Sequence, residues 1–484
     1  MDSNSRGTVI SEEKDRLSML PDDILFSILG RVDIRTAART SALSTRWRSL
    51  PWLLPELDFD VKDFLPVPKP NPIEVSHMDE AMASLTKATS SFLAKPRSES
   101  SIITRLHISL YLNLSNHFSC DIGSLLSDVI DNGMLNGLDL VILDEKEPPD
   151  CLDEEMVQQA ENVNGFFTAY PSMLVCLTKL SLYNVCFRKW DIHHILFDCC
   201  KQLKHLALFH CDAGLRSVWK IDAANSMLRA LELYSCFFEK LEIVCLPKLE
   251  KLHWDTWTSH YSPLSFGFVP SLRELHLLCG ATRNHKGFNL SELLCGTSYI
   301  HTLTLDFQGE KLWIHPEMKQ LCTAFNKLRK LSVLGIFVEF DLVWTKAFLQ
   351  AAPSVEILHI QVWEHACEAD SEARNITFPD RTNPFWELQL DGSKNLLLKE
   401  LQLVGFRPLE QQITFIRAVL ERAPNLKRVV LKEDTEPCED CDAIGNPSYS
   451  LTGHVFPKNK CDQDAVDKKI TDGIVSSAQI IFGC

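Results

Sequence analysis

From about residue 102 onward the apolar positions of this chain fall into one recurring pattern: aliphatic, two others, aliphatic, one other, aliphatic. It reads Leu177-Thr178-Lys179-Leu180-Ser181-Leu182, then returns from Leu203, Leu228, Leu249 (degenerate), Leu272, Ile300, Leu328, Val355, Leu398 and Leu426, with weaker copies centred on Leu106 and Leu140. The central aliphatic residue sits at 180, 206, 231, 252, 275, 303, 331 and 358, at intervals of 21 to 28 residues. Alternation within each copy is the two-residue period of a strand with its aliphatic side chains on one face. Between copies, Phe348 to Pro353 and Val419 to Pro424 read as helices that stop at Ala-Pro, because proline cannot continue the helix. The interval breaks twice, across the acidic stretch 144–155 and over the 43 residues from Leu358 to Leu401, which include 364–387. Insertions of that kind map to loops.

A fixed period of roughly 20–29 residues with one strand per unit is that of a leucine-rich repeat. It predicts a solenoid of the α/β class, with parallel strands on the concave face and helices on the convex face. Residues between the inward leucines then point into the hollow. Those are Ser181, Tyr183, Phe209, Glu232, Tyr234, His253, His276, Asp306, His359 and Gln402. Tyr183, Phe209, Tyr234, His253, His276 and His359 are the expected contacts for a binding partner, since interface energy concentrates in large ring side chains.

The first 60 residues follow a helical period instead. Pro21 suits a first helical turn, and Asp22 and Asp23 suit the positive end of the helix dipole. Ile24, Leu25, Ile28, Leu29 and Val32 form one apolar stripe, and Gly30 marks the approaching end. Asp33 can cap a second helix over 34–41, and Ser44 a third carrying Trp47 and Leu50. Three short helices in about 40 residues cannot bury a core alone, so part of this surface should meet something else. The end of the stretch from Trp52 to Asp60 alternates like a first strand. Prolines at 66, 68, 70 and 72 then favour an extended spacer, and 78–93 reads as a helix. The expected division is a disordered 1–14, a helical module at 15–60, a Pro-rich linker and first cap at 61–101, the solenoid at 102–432, and an acidic, partly disordered tail at 433–484. A short helix is expected near 464–476 within that tail.

The stretch from Asp15 to Leu54, with its LPDDILFSILGRV opening and its LSTRW, resembles a plant-type F-box; Val32-Asp33 stands where members of that family often carry Leu-Pro. The last part of the array, about 398–432, resembles the FBD region that closes many plant F-box proteins with leucine-rich repeats. The resemblance implies a three-helix F-box docking on the Skp-type adaptor of a cullin and RING ubiquitin ligase of the SCF type, and repeats holding a protein target. Leu20, Pro21, Ile24, Leu25, Ile28, Leu29, Leu43, Ser44 and Trp47 would form the adaptor-binding surface. An F-box scaffold, or a small-molecule receptor, acting outside proteolysis is the alternative. Receptors of the second kind carry a basic cofactor pocket, against which the acidic balance of this chain speaks.

Composition narrows the chemistry. A net charge of −15 disfavours a nucleic-acid or anionic-membrane binder. Between Asp15 and Trp52, however, six Arg face four Asp. No run of 18 apolar residues and no secretory leader are visible, so the expected location is cytoplasm or nucleus, where 17 cysteines are read as free thiols. Cys438 and Cys441 have zinc-ligand spacing, but only His454 and Cys461 could complete a set, so no metal is expected. Cys211 and Cys236, three residues past their strands, read as small buried hydrophobes, and Cys199-Cys200 likewise. His193 and His194 are adjacent on a helix and cannot ligate from one face. No phosphate loop, nucleophile elbow or zinc-protease motif is present, so no catalytic residue and no cofactor is expected, and the chain reads as a non-enzyme.

Overall fold

Strands return at the intervals the spacing predicts. The computed structural model describes residue 17 and residues 19–67, 73–94, 102–112, 117–146, 150–189, 191–214, 217–257, 259–280, 285–297, 299–309, 311–315, 325–338, 340–363, 396–434 and 455–483. The chain divides into two units, one of residues 1–146 and 161–180, the other of residues 147–160 and 181–484.

In the first unit, helices Asp22–Leu29 and Ile34–Arg39 are followed by 3-10 turns at Thr40–Ala42 and Leu50–Leu53. Asp33 caps the second helix as expected, accepting from Thr36 N–H at 2.8 Å. The third helix expected from Ser44 is not α-helical: the stretch 45–49 is a series of turns ending in the Leu50–Leu53 3-10 turn. Pro51 limits any helix here, since its ring would clash with the carbonyl of Trp47 in a helix that continued through it. The alternating Leu57 and Phe59 then form strand β1, Glu56–Asp60, which pairs in parallel with β2, Arg105–Tyr111, and β2 with β3, Leu138–Leu143. The sheet therefore begins at residue 56, inside the stretch assigned from sequence to the helical module. Helix Val75–Leu93 buries Met78, Ala81, Met82, Leu85, Phe92 and Leu93.

In the second unit the main parallel sheet runs β5 (His205–Phe209), β7 (Ala230–Tyr234), β9 (Lys251–Asp255), β11 (Glu274–Leu278), β12 (Thr302–Asp306), β13 (Lys330–Phe337), β14 (Ile357–Trp363), β15 (Glu400–Val404), β16 (Arg428–Lys432) and β17 (Gln479–Gly483). The inward positions lie opposite one another from strand to strand, as Leu231 with Leu252, Leu252 with Leu275 and Leu275 with Leu303, all fully buried. Helices were expected throughout the convex side, and Lys346–Ala351 and Glu410–Leu420 are such helices. Three successive returns are strands instead: β6 (Val218–Asp222), β8 (Lys240–Cys245) and β10 (Leu264–Phe268), paired as a second parallel sheet. These follow the copies with intervals of 25, 21 and 23 residues, the shortest in the array. A strand advances about 3.3 Å per residue against about 1.5 Å for a helix, so a short return covers the same distance only if extended.

The array also continues past residue 432. Helix Lys460–Thr471 lies where a short helix was expected, and β17 pairs with β16, which takes this part of the tail out of the disordered class. Arg417 fastens it, donating to the carbonyls of Lys469 at 2.7 Å, Ile470 at 3.2 Å and Asp472 at 2.8 Å. Residues 364–387, Cys438, Cys441 and His454 lie outside the described residues.

Candidate protein-binding surfaces

The stripe of the first helix splits into two sets. Leu25 (0% exposed), Leu29 and Trp47 (2%) are buried and hold the F-box turns together. The structure thus withdraws these three from the expected adaptor surface, because a helix with apolar residues at both i and i+1 presents two faces. Pro21, Ile24 (43% exposed), Ile28 (38%) and Leu43 (66%) face solvent, with Leu20 and Ser44 half-buried and Met19 exposed nearby. Arg46 fixes the start of the helix, donating to Leu20 O at 2.7 Å and pairing with Asp22 at 2.5 Å. Met19 was missed in the sequence reading because it precedes the periodic stripe.

On the sheet of the second unit, five of the six predicted ring residues form one continuous ladder. Tyr183 stacks on Phe209 with ring centroids 4.2 Å apart and planes 4° from parallel, and Phe209 on Tyr234 at 4.6 Å and 6°. Tyr234 meets His253 at 4.6 Å, and His253 meets His276 at 5.8 Å. The strand spacing of about 4.8 Å brings register partners such as Phe209 and Tyr234 to stacking distance, whereas Tyr234 reaches His253 diagonally, since His253 lies opposite Glu232. His359 does not join: Thr304 and Ser332 occupy the same row between it and His276.

The residue after each of strands β4 (Leu177–Tyr183), β5, β7 and β9 adopts a left-handed conformation, with φ of 53° at Asn184, 51° at His210, 49° at Ser235 and 55° at Thr256. Each N–H donates to the last carbonyl of the next strand, as His210 N to Tyr234 O at 2.8 Å and Thr256 N to Leu278 O at 2.7 Å. These turns hold the ladder in register.

Electrostatics differ along the ladder. Glu232 is held well below the usual carboxylate range by the His205 hydrogen bond and by Lys251, whose Nζ lies 2.8 Å away, against the opposite push of burial. Tyr234 donates to Glu232 at 3.3 Å, and burial together with that carboxylate pushes its hydroxyl up to about 12. Burial lowers His253 and His359 from the ordinary imidazole value and takes His276 down to about 4. Asp255 and Asp306 behave the other way: burial raises both, and no cationic side chain among the described residues pairs with either. Sequence reading included Asp306 but missed Asp255, because Trp254 replaces the second aliphatic residue of its degenerate copy.

The cysteines have structural places. Cys211 donates to Leu182 O at 3.6 Å and Cys236 to Leu208 O at 3.3 Å, each fully buried under the strands, and burial pushes the Cys211 thiol up. Cys200 is buried, but Cys199 is only half-buried and lies 3.6 Å from His194 Nε2.

A short helical module with an apolar solvent face, joined to a parallel-strand solenoid, defines the class of an F-box protein with leucine-rich repeats. Residues 17–51 match the F-box domain, and residues 167–476 match the leucine-rich-repeat family described as At1g61320/AtMIF1, LRR domain. The chain is similar to F-box/FBD/LRR-repeat protein At5g53840 of Arabidopsis thaliana, at 47% identity over 58 residues, 12% of this chain and 13% of that protein. It is similar to the putative F-box/LRR-repeat protein At3g18150 of the same plant at 31% identity over 332 residues, 68% of this chain and 62% of that protein. The match to F-box/LRR-repeat protein At2g42730 is 31% over 137 residues, 28% of each. These matches span less than two thirds of each relative's own length. The chain belongs to the family of F-box proteins with leucine-rich repeats. Proteins of this family are generally non-catalytic adaptors, and F-box domains generally bind Skp1-type adaptors.

Proposed function

We propose that this chain is the substrate-recognition subunit of a cullin-based, SCF-type E3 ubiquitin ligase. The observation that carries it is the divided stripe: Leu25, Leu29 and Trp47 hold the module while Ile24, Ile28 and Leu43 are left in water beside Pro21 and Met19. An apolar face kept out of the core at the start of such a module fits an adaptor that recruits a cullin and a RING protein. The repeats hold the protein target, with the Tyr183, Phe209, Tyr234, His253 and His276 ladder as its anchor. The chain itself performs no chemistry; it raises the effective concentration of a target lysine near the charged conjugating enzyme. This work is done in the cytoplasm or nucleus, where that machinery operates.

The test is co-purification of the full chain with a Skp1-type adaptor. An Ile24→Glu, Ile28→Glu double variant should lose the adaptor while keeping its circular dichroism, since burying two unpaired carboxylates is strongly unfavourable. Full adaptor capture by that variant would refute the docking face.

A further inference from the structure

The sheet face beside the ladder carries an electrostatic imbalance that the fold itself does not resolve. Asp255 and Asp306 close strands β9 and β12, with Leu278 of β11 lying opposite both. Two strand spacings separate them, about 10 Å. Both are partly desolvated, which burial alone would oppose for a charged group. Two other carboxylates on this face do have cations, Glu232 with Lys251 and Glu400 with Arg428, while Glu274 of β11 meets only the His276 ring at 4.0 Å.

The pair is nonetheless held in place. Gln308 bridges it, with its backbone N–H donating to Asp306 Oδ1 at 2.8 Å and its amide Nε2 to Asp255 Oδ1 at 3.4 Å. Thr256 Oγ1 donates to Asp255 Oδ1 at 2.9 Å. Gly335, at φ +63°, leaves the room in which Asp306 sits: a Cβ there would stand 2.4 Å from Asp306 Oδ1 and 2.3 Å from Gln308 N. Neutral donors orient the two carboxylates without neutralising them. Immediately alongside lie the rings of Tyr234 (opposite Asp255 in the register) and His276, which precedes Leu278 by two residues on β11.

We infer that this sheet face receives a basic segment of the protein target, with arginine side chains paired to Asp255 and Asp306 and the rest of the segment lying against the aromatic ladder. Charge complementarity selects this occupant. Arginine offers a planar fork that binds a carboxylate through two N–H groups and packs against rings. The spacing suggests its form: an extended polyproline-type segment repeats every three residues at about 3.1 Å each, so side chains at i and i+3 point the same way about 9 Å apart. The net charge of −15 would steer such a segment toward the face.

This inference rests on the sheet of the second unit being the target face, and the experiment separates the two. The full chain, co-expressed with a Skp1-type adaptor, is immobilised and offered degenerate ten-residue peptide pools fixed at positions i and i+3 as Arg, Ala or Glu. The Arg pool should be retained about tenfold above the Ala pool, with the Glu pool lowest. Asp255→Asn with Asp306→Asn keeps the acceptors for Gln308 and Thr256 and should abolish the preference for Arg. Tyr183→Ala with Phe209→Ala should weaken retention of the Arg and Ala pools alike. No preference for Arg, or one unchanged in the Asn double variant, would overturn the basic-segment inference. If the ladder variant still lowers retention of the pools, the target face stands without it. Retention unchanged by both double variants would overturn the target face as well. A native-like melting curve for each variant keeps these outcomes from reflecting unfolding.

Discussion

At the scale of single residues, the sheet face holds groups in states that cost stability when conditions change. His276 is flanked by His253, Lys251, Glu274 and Lys330, and burial, then His253 and Lys251, takes it from an ordinary 6.5 to about 4. Its folded pKa lies below its unfolded one, so its neutral form is compatible with the fold above pH 6.5 and folding is penalised as pH falls through the window from 6.5 to 4. The sign follows because the unfolded chain takes up the proton first. The full penalty approaches about 3 kcal/mol, at about 1.4 kcal/mol per pKa unit. Melting temperatures measured from pH 7.5 to 4.5 should fall in the native protein, and His276→Asn should recover part of that loss. An identical pH profile for the variant would refute this assignment. Gly335 gives a second residue-scale prediction. Gly335→Ala adds a methyl at a left-handed position already filled by Gln308 and Asp306, and should destabilise by about 2 kcal/mol or more, read as a lower denaturant midpoint.

At the scale of elements, legibility followed periodicity. Every strand with two clean inward aliphatic residues, such as Leu231 and Leu233 or Leu275 and Leu277, was readable, because a two-residue period has one physical meaning when one face is buried. The convex elements were less legible. Val218–Asp222 and Lys240–Cys245 alternate as strands do, but helices are written only into the longer repeats, and it is the length of each return that decides its form. The ladder was legible as a set of outward positions but not as a stack, since ring contact depends on neighbouring strands that sequence does not align. The split of the first-helix stripe was hidden for a related reason: an apolar pair at i and i+1 does not say which member is buried. Strand β17 was missed because a single copy, Gln479–Gly483, lacks the leucine pattern, and only its pairing with β16 declares it. Arg417→Ala removes three bonds to the carbonyls that end helix Lys460–Thr471, and should raise hydrogen exchange in β17 and that helix while leaving β9 to β12 protected. Unchanged exchange in β17 would show that strand pairing alone holds the segment.

At the scale of the whole molecule, the question is whether the F-box is a detachable bead. The Pro-rich stretch after Leu65 suggests that it is, and the packing within the first unit says otherwise. Trp52 lies 4.1 Å from the ring of Phe92 in helix Val75–Leu93, and Phe59 of β1 meets the same ring edge-on at 5.6 Å. Arg35, from the second F-box helix, covers the ring of Phe64 at 4.1 Å. Leu50, Leu54 and Leu57 are buried in sequence across the border between F-box and first strand, so the two share one core. Deleting residues 15–52 would remove the buried Trp47 and the half-buried Trp52 and bare Phe92, and losing a large core side chain such as Trp47 costs about 3–5 kcal/mol by itself. The truncated protein should therefore bind a hydrophobic dye and lose the near-ultraviolet dichroism of its remaining aromatic side chains. Ile24→Glu with Ile28→Glu should do neither, although both proteins lose the adaptor. A truncated chain with a native-like melt and no dye binding would show the F-box to be separable, and would leave the adaptor face untouched.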